Sequence, residues 1–92
     1  MTLDEQLNEQ LNDLIRMKER FSSHCGKYKF YKLCKDSVLL CSRLESLIFF
    51  KNILDYQFLF GYLIGLSECG RVSKKDYEIY LDELLSILNS KD

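Results

Sequence analysis

Apolar residues recur at steps of three and four along almost the whole chain, and no proline interrupts them. That spacing marks one face of an α-helix. Proline is the strongest breaker of such a helix, so its absence leaves long helical runs unopposed. The predicted fold class is therefore all-α, a small bundle of three to four helices. With only 92 residues, a chain buries roughly 60–65% of the surface that its unfolded form exposes. One core is the limit, and residues 1–92 are read as a single helical domain. The 47% apolar and 13% aromatic content separates the chain from disordered polymers.

Thr2 to Phe21 reads as the first helix. Thr2 and Glu5 have the spacing of a capping box. Leu3, Leu7, Leu11, Leu14 and Phe21 form its stripe, flanked by Ile15 and Met17. Asp4, Glu5, Glu9 and Asp13 come first and Arg16, Lys18 and Arg20 last, an order that complements the helix dipole. Gly26, free to adopt positive φ, is expected to end the segment. The second helix is predicted to run unbroken from about Tyr28 to at least Phe50. Phe30, Leu33, Cys34, Leu40, Cys41, Leu44, Leu47 and Ile48 share its apolar face. The seven-residue series Leu33, Leu40, Leu47 and Leu54 has Asp36, Arg43 and Phe50 at the second heptad position, so a packed bundle helix accounts for it better than a coiled coil.

A bend is predicted around Lys51 to Asp55, followed by a third helix over Asp55–Glu68. That helix is apolar on nearly every side, which predicts a place in the middle of the fold. Gly61 and Gly65 mark either a solvent strip or a site of close backbone approach. The uninterrupted apolar run Phe58–Leu66 falls far short of the ~20 residues that a membrane-spanning helix needs; no membrane association is expected. Gly70 suits the next turn. Ser73 then caps the last helix, with Val72 and Tyr77 at the spacing of a hydrophobic staple.

Chemistry-bearing residues are sparse. Cys25, Cys34, Cys41 and Cys69 form no C-x-x-C pair. They are expected as reduced and mostly buried thiols. The polar, acidic start has none of the character of a secretory signal, and a reducing, cytoplasmic setting is expected. His24 is the sole histidine, which leaves a metal site without the converging ligands it needs. No phosphate-binding glycine loop and no distinct carboxylate pair is present. The expectation is a protein that is not an enzyme and carries no cofactor or metal.

Net charge is −1, but it is unevenly spread. Residues 1–15 carry acids only, residues 16–51 are strongly basic, and residues 52–92 are acidic again. Within the basic region, Lys27-Tyr28-Lys29-Phe30-Tyr31-Lys32 interleaves lysines with aromatics. Such a segment suits phosphate contacts combined with base stacking, so nucleic-acid binding through residues 27–35 is the alternative function. The acidic ends oppose it, and no helix-turn-helix precedes a basic recognition helix.

Protein binding accounts for more of the chain. The apolar inventory exceeds what a monomer of this size covers, and Leu39, Phe50 and Ile79 fall on otherwise polar arcs, with Phe49 at an edge. The candidate partner-binding residues are Lys27, Lys29, Lys32, Lys35, Leu39, Arg43 and Phe50. A homodimer is also expected, with Phe58, Phe60 and Ile64 of the third helix as its contact.

The run Leu66-Ser-Glu-Cys-Gly-Arg-Val-Ser-Lys-Lys-Asp-Tyr, within Gly61–Leu88, resembles the helix–glycine turn–serine cap–helix ending, a helical hairpin, of many small bacterial and phage proteins. The lysine-rich, alanine-free composition is similar to that of phages and mobile elements of AT-rich Gram-positive bacteria. This resemblance implies an inhibitor or regulator that blocks a host enzyme, a defence nuclease or a regulatory protein by occupancy. It implies no catalytic residue.

Overall fold

The computed structural model describes residues 2–90 and is all-α. Helix α1 spans Leu3–Cys25, α2 is the single turn Tyr31–Cys34, and α3 spans Val38–Phe50. Helices α4 and α5 follow over Ile53–Glu68 and Lys74–Leu88. Four helices of useful length and one short turn make up the bundle.

Local sequence accounts for most boundaries. The Thr2 hydroxyl accepts from the Glu5 amide while the Glu5 carboxylate accepts from the Thr2 amide, completing the capping box. Ser73 accepts from the Asp76 amide at 3.1 Å and starts α5. Gly70 sits at φ 79° in the turn before it, the left-handed conformation that favours glycine. Gly26 departs from expectation. It ends α1 with φ −62°, still right-handed, and α1 continues to Cys25 rather than stopping at Phe21. A Cβ at Gly26 would run into the Ser22 carbonyl, so glycine is needed there for close approach.

The predicted helix from Tyr28 to Phe50 is broken. Ser37 takes an extended conformation, and its hydroxyl accepts from the Leu40 amide. A serine that can satisfy an orphan amide at a helix start competes with helix continuation. The break is sealed from inside, because the buried Cys41 thiol donates to the Cys34 carbonyl at 3.0 Å. The expected bend after Phe50 is present. Lys51 is left-handed (φ 53°), and Asn52 caps α4 by accepting from the Leu54 amide.

The core is centred on α3, not on α4. Leu40, Cys41, Leu44 and Leu47 of α3 are buried, and they meet Phe21 and Cys25 of α1, Leu59 and Leu63 of α4, and Leu84 and Ile87 of α5. Helix α4 packs on α3 and α5 through one face. Gly61 and Gly65 lie exposed on another face, with open space where a Cβ would stand. They form a solvent strip within this chain. Helix α4 is therefore a flank of the bundle despite its composition, since burial depends on neighbours rather than on hydropathy.

The stripe of α1 is only partly used. Phe21 and Cys25 are buried and Met17 half-buried, whereas Leu3, Leu7, Leu11, Leu14 and Ile15 are 70, 54, 56, 47 and 45% exposed. The first half of α1 is thus an arm standing clear of the bundle. The radius of gyration is 15.3 Å, against about 12 Å for a compact chain of this length. The accessible surface is 6570 Å², against about 5600 Å² for a folded monomer of this mass.

Candidate functional site

Outside the arm, several of the exposed large apolar side chains fall where α3 turns into α4. Two residues make the connection. The Lys51 amide donates to the Leu47 carbonyl at 2.9 Å, and its Nζ donates to the Ile48 carbonyl at 2.6 Å. Left-handed backbone is unfavourable for a lysine by about 1–2 kcal/mol, and these two bonds hold it in place. The tightness of the turn crowds the last residues of α3 and the first of α4 onto one convex corner. Phe49, Phe50, Ile53 and Leu54 are 55, 78, 52 and 66% exposed there, and Phe58 is 40% exposed one turn further on.

A polar staple sets the angle of this corner. Asp55 is buried, with its side chain 4% accessible. One carboxylate oxygen accepts from Arg43 at 3.1 Å and the other from the Ser46 hydroxyl at 2.6 Å. Asp55 also lies in the first turn of α4, where the helix dipole favours negative charge. The Arg43 guanidinium then lies 5.2 Å over the Phe58 ring. Arg43 and Ser46 come from α3 and Asp55 from α4, so the staple fixes two helices and orients Phe58.

A second polar cluster joins α1 to α3. Glu45 accepts from Arg20 at 3.3 Å and lies 2.9 Å from His24 Nδ1. The His24 ring meets Phe49 edge-on at 5.1 Å. Thus His24 supports the edge of the apolar corner. No group of three or more metal-ligating side chains converges among the described residues.

The basic segment is tied down by its backbone. Glu83 of α5 accepts from the Lys29 amide at 2.8 Å and from the Phe30 amide at 2.7 Å. Phe30 is fully buried against Tyr80, while Tyr28 and Tyr31 are half-buried. These aromatics serve the core, and Phe30 is withdrawn from any stacking platform. Lys27, Lys29, Lys32 and Lys35 are exposed. An open groove of about 440 Å³ adjoins this segment, lined by Tyr28, Lys29, Ile79, Asp82, Glu83, Ser86 and Ile87. Its central carboxylate, Glu83, is already engaged with the two amides.

The thiols follow burial. Cys25, Cys34 and Cys41 are buried, in line with mostly buried thiols, whereas Cys69 is exposed. All four are free. Desolvation pushes the Cys25 thiol up to about 12, with Glu45 and Cys41 adding to the shift. Desolvation raises Cys34 and Cys41 as well, reinforced by Cys41 and Cys25 for the first and by Asp36 and Glu45 for the second. Thiolate is the reactive form, and burial disfavours it at these three thiols.

The anticipated site residues do not form one patch. Phe50 and Phe58 belong to the corner, and Arg43 is its staple rather than a free cation. Leu39, 56% exposed, sits at the other end of α3 beside Val38. Phe60 stacks on Tyr56 at 5.9 Å, and both it and Ile64 are half-buried by their own chain. Ile53 and Leu54 were not among the expected site residues; their exposure depends on the turn at Lys51. No helix among the described residues is long and apolar enough to cross a membrane. No protein-family model, curated protein or solved structure matches the chain.

Proposed function

We propose that this chain is a non-enzymatic protein-binding module that inhibits or regulates a partner protein by occupying its surface. The observation that carries the reading is the α3–α4 corner. Five large apolar side chains, Phe49, Phe50, Ile53, Leu54 and Phe58, are exposed together on a turn held rigid by Lys51 and by the Arg43–Asp55–Ser46 staple. Contiguous apolar surface of this kind marks protein interaction sites, and rigid aromatic anchors supply most of the energy in such contacts. The fitting partner surface is an apolar groove that receives Phe50 and Leu54. The resemblance to phage and mobile-element accessory proteins supports a bacterial host protein as the partner.

The test uses tagged protein and a host lysate, with and without nuclease. Wild type is expected to retain one protein in both conditions. Phe50→Glu and Leu54→Glu change exposed positions and are expected to keep the fold. Each should weaken capture about 30-fold, corresponding to a hot-spot contribution of about 2 kcal/mol. Capture that vanishes with nuclease would replace this reading with nucleic-acid binding through the exposed lysines of residues 27–35. Capture unaffected by both corner variants would remove the corner from the function.

A further inference from the structure

The arm of α1 presents an apolar stripe with no cover from its own chain. Leu3, Leu7, Leu11, Leu14 and Ile15 are each 45–70% exposed, and the same face continues past Lys18 to Phe21, where it enters the core. An isolated helix of this length is marginal in water, and a leucine row on it adds exposed apolar surface. The excess of about 1000 Å² over a compact monomer is comparable to the ~800 Å² per partner of a standard interface.

Charge placement identifies what covers it. At about 100° per residue, Glu5, Glu9, Asp13 and Arg16 fall on the far side of the helix from the leucines. Asp4 and Lys18 instead fall on the leucine face, Asp4 near the start of the stripe and Lys18 near its end. We propose that the arms of two copies of this chain pair antiparallel, leucine face to leucine face, with Leu11 near the twofold axis. Leu7 then lies against Leu14 and Ile15 of the partner subunit, and Asp4 lies across from Lys18 of the partner subunit. The symmetry makes this ion pair twice. A parallel pairing would set Lys18 against Lys18 and Asp4 against Asp4 on an otherwise apolar seam.

The same register covers the tip of the arm. Lys18, Lys35, Asp36 and Val38 line one small cavity at the start of α3, with Phe21 beneath them. Val38 and Leu39 are 43 and 56% exposed in the single copy. Leu3, opposite the partner's Lys18, reaches Val38 and Leu39 at the rim of this cavity. Leu39 is then a self-association residue. This interface is separate from the α3–α4 corner and leaves the corner of each copy free for a foreign partner.

Sedimentation equilibrium at 10–100 μM tests the pairing, with circular dichroism confirming helicity. Wild type is expected to be a dimer. The Leu7→Gln, Leu11→Gln double variant should be a monomer, with dissociation at least 100-fold easier. Asp4→Lys and Lys18→Asp should each weaken the dimer, and the two together should restore it, a rescue that holds even where the glutamine variant loses helicity. In a Cys69→Ser background, mixed Asp4→Cys and Lys18→Cys proteins should cross-link to each other, and Asp4→Cys alone should not. A monomeric wild type overturns the proposal. So does a dimer that survives the glutamine pair, which would move the contact to Phe58, Phe60 and Ile64. Self-linked Asp4→Cys overturns the antiparallel register. Phe50→Glu should remain dimeric, so failure of the corner and failure of the arm give different results.

Discussion

Arg43→Met should destabilise the protein more than Asp55→Asn, although both break the same ion pair. The asymmetry follows from burial. The Asp55 side chain is 4% accessible and that of Arg43 45%. Removing the guanidinium leaves a buried carboxylate with one hydrogen bond, from Ser46 at 2.6 Å. Breaking a buried pair in this way costs about 3–5 kcal/mol. The Ser46 bond and the α4 dipole lower that to about 2–3 kcal/mol here. Asp55→Asn instead leaves Arg43 half in water, where it rehydrates. The asparagine amide can still bond to both neighbours, so the cost is about 1 kcal/mol. For a domain of this size, 1 kcal/mol moves Tm by about 4–8 °C. The expected decreases are therefore roughly 10–20 °C for Arg43→Met and about 4–8 °C for Asp55→Asn. Thermal unfolding followed at 222 nm, at one fixed protein concentration, measures both. Equal losses, or a larger loss for Asp55→Asn, would refute the reasoning that burial makes the carboxylate the vulnerable partner.

Further expectations follow from the thiols, from Glu83 and from the α4 glycines. Native protein should show one fast-reacting thiol, Cys69, and three slow ones that react only on unfolding. Cys25, Cys34 and Cys41 hold their protons more tightly folded than unfolded. Stability should accordingly be full below about pH 8.5, the ordinary thiol value, and fall as pH rises beyond it. Each thiol contributes a slope of up to about 1.4 kcal/mol per pH unit, and urea titrations at pH 7 and 10 that give equal stability would contradict this. Glu83→Ala should cost about 2 kcal/mol by orphaning the Lys29 and Phe30 amides; hydrogen exchange should show protection lost at those two amides first. Gly61→Ala, in open space on a helix, should raise stability by roughly 0.5–1 kcal/mol. A fall in stability there would place another backbone against α4.

Sequence alone determined what depends on neighbours within a few residues. The capping box at Thr2, the Ser73 cap and the left-handed Gly70 are each made by groups that sequence already places side by side. Helical spacing likewise identified Phe30, Leu44 and Leu47 as inward-facing residues. The break at Ser37 was harder to see, because the same serine fits a continuous helix until the competing turn is stabilised by packing. That packing includes the Cys41 thiol on the Cys34 carbonyl, a contact across the break itself.

The candidate surfaces belong to the other category. A leucine stripe on α1 and an all-round apolar α4 are both legible as hydropathy, but hydropathy does not say which surface finds a neighbour. Tertiary structure put α3 at the centre, left α4 on a flank and let the first half of α1 run past the end of the bundle. It also turned Phe49, Phe50, Ile53 and Leu54 outward by fixing one lysine in a left-handed conformation. The physical reason is that burial is a property of pairs of surfaces. Local hydrogen bonds and helix periodicity depend on residues close in sequence, whereas exposure depends on where distant helices stop.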